Sequence, residues 1–323
     1  MVGIQKEIRV HQNSVLLVAL TASVLVASPF LGAGEPAREL SWKKTDSSIA
    51  LHNNGKMVWQ HVHDKKAGKP FMRFGLLDGT EMTRPCPFPN GYAKADHVWH
   101  KALWWSWKYI NGVNFWEKTQ EGTEPVGVKI EERDNGSAVI SLDISYHEKD
   151  KPTLVKEKRV ITVSSPDSQG SYRIDWEATF TPAGNKDVVF NKNSYGGFAY
   201  RGAAEYCGDK KNGQQGWRFV DDEGRIDGSN NKRCRWVAYV GIAQNVKAAG
   251  VAIFEHPDNP RHPSWWQTRN HYPYLNPSFT CKEDYTLEAG KSLALKYRVL
   301  VHQGDAGKEV LEKEWKAFAG KSN

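Results

Sequence analysis

Short runs of alternating apolar and polar residues restrict the fold of this chain more than any other feature of its sequence. These runs cover residues 138–146, 156–163, 172–180, 236–242, 251–254 and 293–301, and they are rich in β-branched and aromatic residues. A period of two residues is that of a β-strand with one buried face. Clusters of Gly, Asn, Asp or Pro bound the runs, and turn sequences such as Asn135-Gly136 and Pro182-Ala183-Gly184 predict antiparallel hairpins.

A single segment has convincing helical periodicity, and it lies near the C-terminal end. Within residues 308–318, the side chains of Val310, Leu311, Trp315 and Phe318 recur at helical spacing, so we expect this stripe to pack on a sheet edge. Many strands without alternating helices predict two packed antiparallel sheets. We therefore expect an all-β protein, a large antiparallel β-sandwich that forms one domain over residues 35–323 and carries a short C-terminal helix.

The N-terminus has the three parts of an export signal. Lys6 and Arg9 form a small basic region, the run 15–27 is uncharged, and small residues at 31–34 offer a cleavage site. An apolar run of this length fits a signal peptide, whereas a membrane span needs roughly 20 residues. We expect residues 1–34 to be removed and the protein to be periplasmic or extracellular, with no membrane attachment after cleavage.

The net charge limits the classes of binding partner, and the cysteine content bears on the compartment in which the protein works. The chain carries a formal net charge of +7 without Lys/Arg blocks, which favours an acidic polysaccharide and makes nucleic-acid binding improbable. An exported protein permits disulfide bonds, and a Cys207–Cys234 bridge would close a turn-rich excursion. Cys86 and Cys281 either pair or stay free, because four cysteines allow three connectivities between which the sequence does not choose.

Three polar and aromatic segments interrupt the strand pattern, and the first is DHVWHK at residues 96–101. Its histidines, His97 and His100, can face one site if the segment turns, and imidazole is a general acid or base near neutral pH. Asp96 could orient a neighbouring imidazole. The same residues could bind a divalent metal, although the sequence requires no cofactor.

The second and third segments lie further along the chain. In NSYGGFAYR, residues 193–201, paired glycines permit a bulge or a close backbone approach within a strand. The third segment, residues 255–272, follows a predicted strand and therefore lies on a loop, where binding sites are usually built. It contains two His-Pro pairs, two arginines and two tryptophans.

Taken together, the segments predict a sugar site, because tryptophans stack on pyranose rings and Asn, Asp, Arg and His bond hydroxyl groups. The catalytic candidates are His97, His100, His256, Arg269 and Tyr272. The substrate-binding candidates are Asp96, Lys101, Trp105, Asn114, Tyr195, Tyr200, Arg201, Glu255, Asn259, Arg261 and Trp266.

The motifs DHVWHKALWW…NGVNFW, YGGFAYR and EHPDNPRHPSWWQTRNHYPYLNPS resemble those of the bacterial PmoA-like family, over about residues 59–301. The resemblance implies an exported β-sandwich of the mutarotase-like or supersandwich type, found in saccharide-degrading contexts. The family's inherited label, methane oxygenase, would require an integral membrane protein, which this sequence does not predict. The family has a second His where Val98 stands and an Arg at Lys101, and lysine cannot make a bidentate guanidinium contact.

The leading functional hypothesis is a lyase that acts on an acidic glycan by β-elimination. Arg269 or Arg201 would neutralise a uronate carboxylate, while a histidine or Tyr272 would remove the C5 proton. A glycoside hydrolase, which needs two suitably spaced carboxylates, and a mutarotase-like or epimerase-like enzyme are the alternatives. A non-catalytic carbohydrate-binding protein is the third. A shared pocket of His97, His100, His256 and Arg269 would favour an enzyme.

Overall fold

The computed structural model describes residues 38–88, 96–117, 122–203, 217–241, 248–269 and 271–320. From Arg38 onwards the chain forms one compact unit. The predicted signal peptide, residues 1–34, and Cys207 lie outside the described residues.

Two antiparallel sheets of eight strands form the body of this unit, as the alternating runs predict. The first, called sheet I, has the strand order β1-β2-β3-β4-β5-β11-β16-β15. Its strands are β1 (Leu40–Thr45), β2 (Ser48–Asn53), β3 (Lys56–Val62), β4 (Phe71–Phe74), β5 (Leu103–Trp107), β11 (Gly196–Arg201), β15 (Trp265–Thr268) and β16 (Tyr274–Ser278). A short 3-10 helix, Lys65–Ala67, precedes β4.

The second, called sheet II, has the strand order β12-β13-β14-β18-β9-β8-β7-β6. Its strands are β6 (Thr123–Glu132), β7 (Ala138–Tyr146), β8 (Val155–Val163), β9 (Tyr172–Pro182), β12 (Trp217–Asp221), β13 (Trp236–Gly241), β14 (Ala249–Glu255) and β18 (Leu293–Gln303). A two-stranded ribbon of β10 (Val188–Phe190) and β17 (Tyr285–Leu287) lies beside them. Helix α1 spans Lys308–Ala319. The predicted antiparallel β-sandwich with a C-terminal helix is therefore confirmed.

The main core lies between the two sheets. In β8 every second side chain is buried and the others are exposed, which is the pattern of a strand with one face on a core. Large side chains such as Trp105, Trp176 and Phe198 fill this layer from both sheets. Full burial of one such apolar side chain contributes about 1.5–3 kcal/mol, so the layer dominates the stability of the fold.

A charged pair also lies in this layer. Arg159 donates from Nε and Nη2 to Glu157 at 2.6 and 3.0 Å, and Tyr146 donates its hydroxyl to the same carboxylate at 2.6 Å. The Arg159 guanidinium lies 5.1 Å from the ring of Trp176. Neither charged side chain is exposed. This group is called the inter-sheet ion pair.

Some details differ from expectation. Helix α1 packs Leu311 and Phe318 on the outer face of β13, β14 and β18 instead of on a sheet edge, and Val310 is exposed. The turn at residues 182–184 ends β9 without a hairpin, because β9 pairs with β8 and β18.

The disulfide prediction is not supported. Cys86, Cys234 and Cys281 are all buried free thiols, so neither Cys86–Cys281 nor a bridge to Cys234 is formed. The Cys234 thiol instead contacts the Asp221 carboxylate at 3.6 Å. Among the described residues, no helix is long and apolar enough to cross a bilayer.

Candidate functional site

Three neighbouring strands of sheet I are buried on both faces, which means that further side chains cover the outer one. In β5, Leu103, Trp105 and Trp107 face the inter-sheet core, while Trp104 belongs to a second apolar cluster outside the sheet. The members of this outer cluster are Phe71, Cys86, Ala102, Trp104, Trp116, Ala199, Tyr272 and Tyr274. Polar side chains gather on this aromatic floor, and we call the assembly the outer-face site.

The segment before β5 turns sharply and thereby brings its histidines to this face. The amide of His100 donates to the carbonyl of His97 at 2.8 Å, and the backbone has positive φ at His97 (45°) and at Ala102 (75°). Positive φ is costly for a residue with a Cβ and is retained where surrounding contacts impose it. Arg84, which is buried, supplies such contacts by donating to the carbonyls of Asp96 and His97 at 3.0 and 3.2 Å.

The Asp96 carboxylate is the electrostatic centre of the site. It accepts from Arg201 at 3.0 Å, from Arg84 at 3.1 Å and from Nδ1 of His97 at 2.9 Å. Partial burial alone would raise the pKa of Asp96, but these hydrogen bonds and the two guanidinium charges outweigh it and lower the pKa. Because a carboxylate only accepts, the His97 proton sits on Nδ1, and Nε2 of a neutral ring is left as a base.

His100 is held neutral among aromatic rings. It stacks on Trp104 and on Tyr274, each with a centroid distance of 5.1 Å, and its ring lies 5.0 Å from that of His97. Burial, followed by the charge of Arg201, lowers the pKa of His100 well below its ordinary value. Nη1 of Arg201 lies 3.4 Å from Nδ1 of His100. Since guanidinium only donates, this contact leaves the His100 proton on Nε2.

Tyr272 completes this part of the site. The Arg201 guanidinium lies 3.5 Å from the centroid of the Tyr272 ring, which is a close cation–π contact. Burial raises the pKa of Tyr272 more than the nearby arginine charges lower it, so its hydroxyl stays protonated at neutral pH. Two of the three predicted catalytic histidines, His97 and His100, are thus brought together with Tyr272 and Arg201.

Arg269 reaches the same floor from the other side. It is hydrogen-bonded to the hydroxyl of Tyr195, donates to Asn230 Oδ1 at 3.1 Å, and lies 6.0 Å from the ring centroid of Tyr274. Its hydrogen-bond partners among the described residues are neutral, so its charge is less compensated than that of Arg201. Nearby His271 has a lowered pKa, caused by burial and then by the charges of Arg269 and Arg201.

Lys69 lies beneath the aromatic floor and was not singled out from the sequence. It is fully buried and donates from Nζ to the carbonyls of Trp116 and Phe115 at 2.6 and 3.3 Å. Burial, with a contribution from the charge of Lys101, lowers its pKa to about 7. These bonds fix Trp116 against His100, whose ring centroid is 6.0 Å away.

Three of the predicted binding residues face the other way. Trp105, Tyr200 and Trp266 lie in the inter-sheet core, because they occupy the inward positions of their strands. The Tyr200 hydroxyl donates to the Met82 carbonyl at 2.6 Å, and Trp266 Nε1 donates to the Cys234 carbonyl at 2.7 Å. Packing accounts for these side chains, and none of them can serve as a sugar platform on the outer face.

The loop that follows β14 is a structural network instead of part of the site. Glu255 is fully buried and accepts from the amide and hydroxyl of Ser264, each at 2.6 Å. The ring of His256 packs on Phe318 of helix α1 at 5.0 Å. Asn259 pairs with the backbone of Lys296, and Arg261 donates to the carbonyl of Asp284 at 2.7 Å. The four predicted site residues at the end of β14 and in the loop after it therefore do not join His97 and His100.

The two remaining candidates border the site. Asn114 Oδ1 accepts from the amides of Trp116 and Glu117 at 3.0 and 3.2 Å, so it shapes the turn that carries Trp116. Lys101 is half-buried between His100 and β5. Sequence reasoning missed Arg84 and Lys69, which no motif marks. It also missed Tyr274, although this residue stands in the motif of residues 255–278, two positions after Tyr272.

The sequence also left open whether these residues bind a divalent metal ion. Within the described ranges, no three His, Cys, Asp or Glu side chains are grouped as metal ligands. The Asp96 carboxylate is occupied by two guanidinium groups, and their positive charge disfavours a cation at that position. The residues present therefore fit an anionic ligand better than a metal.

Fold and site together define a class, namely two-sheet all-β proteins with a histidine–carboxylate–arginine site on the outer face of one sheet. The chain belongs to a family of unknown function (DUF6807), whose model matches residues 48–316. Among curated proteins, none matches this sequence.

Several solved structures have a similar outline. An alpha-galactosidase from Lactobacillus brevis is 9% identical with a TM-score of 0.44; the match covers 86% of this chain and only 41% of the galactosidase. A protein described as an aldose 1-epimerase from Klebsiella pneumoniae subsp. pneumoniae is 10% identical with a TM-score of 0.47 over 88% of both chains. One described as a mutarotase from Salmonella typhimurium is 12% identical with a TM-score of 0.34, over 82% of this chain and 94% of the other. Similarity at this level transfers neither an activity nor a substrate.

Proposed function

We propose that this protein is a carbohydrate-active enzyme that cleaves an acidic glycan by β-elimination. The observation that carries the proposal is the outer-face site itself, where an Asp96-bound His97 lies against a neutral His100 among arginines. The arginines attract an anion, and the two imidazoles offer a proton acceptor and a proton donor side by side.

Each role follows from a contact. Arg269, whose described partners are neutral, would pair with the uronate carboxylate and so acidify the adjacent C5 proton. Nε2 of His97 would take that proton, with Asp96 stabilising the imidazolium that forms. The C5–H electrons become the C4=C5 double bond, the C4–O bond breaks, and the leaving oxygen takes a proton from His100 Nε2 or the Tyr272 hydroxyl.

Hydrolysis is less well supported by the same geometry. It usually needs two carboxylates, one acting as an acid and one as a base or nucleophile. Asp96 is held by two arginines and a histidine, and Glu117 forms an ion pair with Lys108. The hydrogen bonds and guanidinium charges that lower the pKa of Asp96 disfavour this residue as a general acid.

A mutarotase-like or epimerase-like enzyme is the second candidate, because the stacked His97 and His100 rings could also exchange protons with a small sugar. A non-catalytic carbohydrate-binding protein is the third candidate, and it would bind a glycan without changing it.

We also propose that the protein is exported and shares the site of the PmoA-like proteins that its motifs resemble. Export would bring the enzyme to extracytoplasmic glycans. Fusion of residues 1–34 to a reporter that is active only outside the cytoplasm tests the first statement, and a reporter without activity would contradict it.

A panel of purified polysaccharides tests the chemistry. Uronate-containing glycans should yield unsaturated products that absorb in the ultraviolet, whereas neutral glycans should not. A reducing-end assay without an ultraviolet signal would indicate hydrolysis, and anomer interconversion of free sugars would indicate a mutarotase. Glycan binding without any of these signals would contradict an enzymatic role.

A further inference from the structure

A second cleft lies away from the outer-face site, where the 3-10 helix Lys65–Ala67 meets the start of β6 and the end of β7. Its volume is about 380 Å³. The lining residues are Lys65, Gly68, Gly122, Thr123, Glu124, His147, Lys149 and Asp150. A cavity of this size lies in the range of small-molecule sites. None of the residues that form the outer-face site lines it.

A preformed polar bridge crosses the cleft. Lys65 Nζ donates to Glu124 Oε1 at 2.6 Å, and His147 Nε2 lies 3.2 Å from Glu124 Oε2. Nδ1 of His147 is fixed in turn by the carbonyl of Glu148 at 2.9 Å. The hydrogen bond from Lys65 is the main cause that lowers the pKa of Glu124, so this carboxylate is ionised at neutral pH. Its two oxygens retain further lone pairs that can accept from a ligand.

An unpartnered hydroxyl lies next to this bridge. Thr123 lines the cleft, only 3% of the residue is exposed, and its Oγ1 has no hydrogen-bond partner among the described residues. Burial of a hydroxyl without a partner is unfavourable, so such groups normally bond to a ligand or to water. The cleft therefore combines the Thr123 hydroxyl, which has no partner among the described residues, with the hydrogen-bonded pair of Lys65 and Glu124.

The charges of the lining determine the class of ligand. The lining carries groups of both signs, namely the ammonium groups of Lys65 and Lys149 and the carboxylates of Glu124 and Asp150, together with the His147 imidazole, whose two nitrogens face acceptor oxygens. An anion would meet the two carboxylates and a cation would meet the two ammonium groups, whereas uncharged hydroxyl groups can donate to the first pair and accept from the second. Gly122 has φ of +101°, and a Cβ there would lie 2.4 Å from the His147 carbonyl. The wall at this position is therefore bare backbone.

We propose that this cleft is a second saccharide site, which binds one uncharged sugar residue through Thr123 and the Lys65–Glu124 pair. The cleft differs from the outer-face site in the ligand it favours. Its lining carries both signs of charge and favours a neutral sugar, whereas the arginines of the outer-face site favour an acidic one. A sugar would bind in this cleft whether or not the outer-face site catalyses elimination. An enzyme with both sites would hold a glycan, or two glycans, that carries neutral as well as acidic units.

Nuclear magnetic resonance of the purified protein tests the proposal with glucose, galactose and mannose as probes. At least one of them should shift the amide signals of Gly122, Thr123, Glu124 and His147 in a saturable way. Thr123→Val keeps the shape but removes the hydroxyl, and it should weaken binding by about tenfold, the size of one lost hydrogen bond. Thr162→Val, the same change on an exposed strand position, should leave the affinity unchanged.

Further variants and probes separate the possible failures. Glu124→Gln changes a partly exposed position and should also weaken binding. This variant replaces Thr123→Val as the test if Thr123→Val does not fold. His97→Ala should leave these shifts intact even where it removes activity, so a failed lyase proposal would not affect this one. Absence of shifts with all three sugars, unchanged affinity in both cleft variants, or tighter binding of glucuronate or glucosamine than of glucose would each overturn the proposal.

Discussion

Two clusters in this molecule combine a carboxylate, an arginine, a tyrosine and a tryptophan, yet they differ in what remains available for binding. In the inter-sheet ion pair, Glu157 and Arg159 are completely buried, and the Glu157 carboxylate accepts hydrogen bonds from Arg159 and Tyr146. In the outer-face site, the Asp96 and His97 side chains are 41% and 42% exposed. Among the residues that the structure describes, Nε2 of His97 has no hydrogen-bond partner and Arg269 has no carboxylate partner, so both are available to a ligand.

The contrast shows that residue types alone do not mark a site. His61 in β3 is buried in the inter-sheet layer and its pKa is lowered well below the ordinary value, first by burial and then by the charges of His63 and Arg159. His100 is shifted in the same direction for the same first reason. What separates the clusters is the exposed imidazole beside His100, through which a substrate can reach the buried groups.

The largest expected effect concerns the exposed imidazole. His97→Ala should reduce the elimination rate by about 10²–10⁴-fold, because it removes the proposed general base. The free energy of unfolding should fall by only about 1 kcal/mol, the size of the partly exposed hydrogen bond to Asp96 that is lost. Product absorbance and urea unfolding measure the two quantities. His256→Ala is the control, since His256 packs against helix α1 and its loss should lower stability without changing the rate of the folded protein. Equal rates for His97→Ala and the wild type would contradict the assignment.

The inter-sheet ion pair should respond in the opposite way. Arg159→Met leaves the Glu157 carboxylate buried without its cation, which should cost about 3–5 kcal/mol in the free energy of unfolding. Arg218→Met removes an exposed pair with Asp305 and should cost less than about 1 kcal/mol. Urea unfolding compares the variants. A loss for Arg159→Met no larger than for Arg218→Met would show that the buried pair contributes little.

Arg269 allows a test of whether the outer-face site recognises a negatively charged substrate. Arg269→Met should lower kcat/KM on a uronate glycan by roughly 10- to 100-fold, the value of hydrogen bonds to a charged group. The methyl ester of the same glycan lacks the carboxylate charge, so the variant should lose less on it. An equal loss on both substrates would mean that Arg269 does not recognise the carboxylate.

The smallest effect should come from acidification, which both clusters share. His61 and His100 have pKa values in the folded protein that lie below the unfolded value of 6.5. The unfolded state therefore binds more protons below pH 6.5, and each group lowers stability by up to about 1.4 kcal/mol for every pH unit below that point. His61→Leu should make the decline shallower in unfolding experiments between neutral pH and pH about 5. A steeper or unchanged decline would exclude His61 as a cause.

The sequence predicted the strands of sheet II better than those of sheet I, and the reason is physical. Strands such as β8 and β9 have one solvent face, so their alternation is visible, and β7 was predicted with its observed bounds. In β5 and β11 every side chain is buried, because the outer-face site covers them, and period two disappears. The strands that carry the site are therefore those whose pattern is hardest to read.

The sequence predicted the proximity of groups that are close along the chain, but it did not predict which way a strand side chain faces. The spacing of His97 and His100 was enough to place both rings together. Trp105 and Tyr200 failed because a shift of one residue along a strand moves a side chain to the opposite face of the sheet. Arg84 and Lys69 act through backbone carbonyls of residues distant in sequence, a contact that no local pattern encodes.

The order of the strands that carry the outer-face site has a consequence for synthesis of the chain. Strands β5, β11 and β16 are adjacent in sheet I but begin at Leu103, Gly196 and Tyr274. During translation, β5 can pair with β4 at once, but its other neighbour β11 is complete only at residue 201 and β16 only at residue 278. Contacts between such distant segments form slowly. A product that stops before residue 274 would hold His97 and His100 but lack the strand that carries the Tyr274 ring against His100. Activity, in contrast to partial sheet formation, should therefore require the chain to be translated through β16.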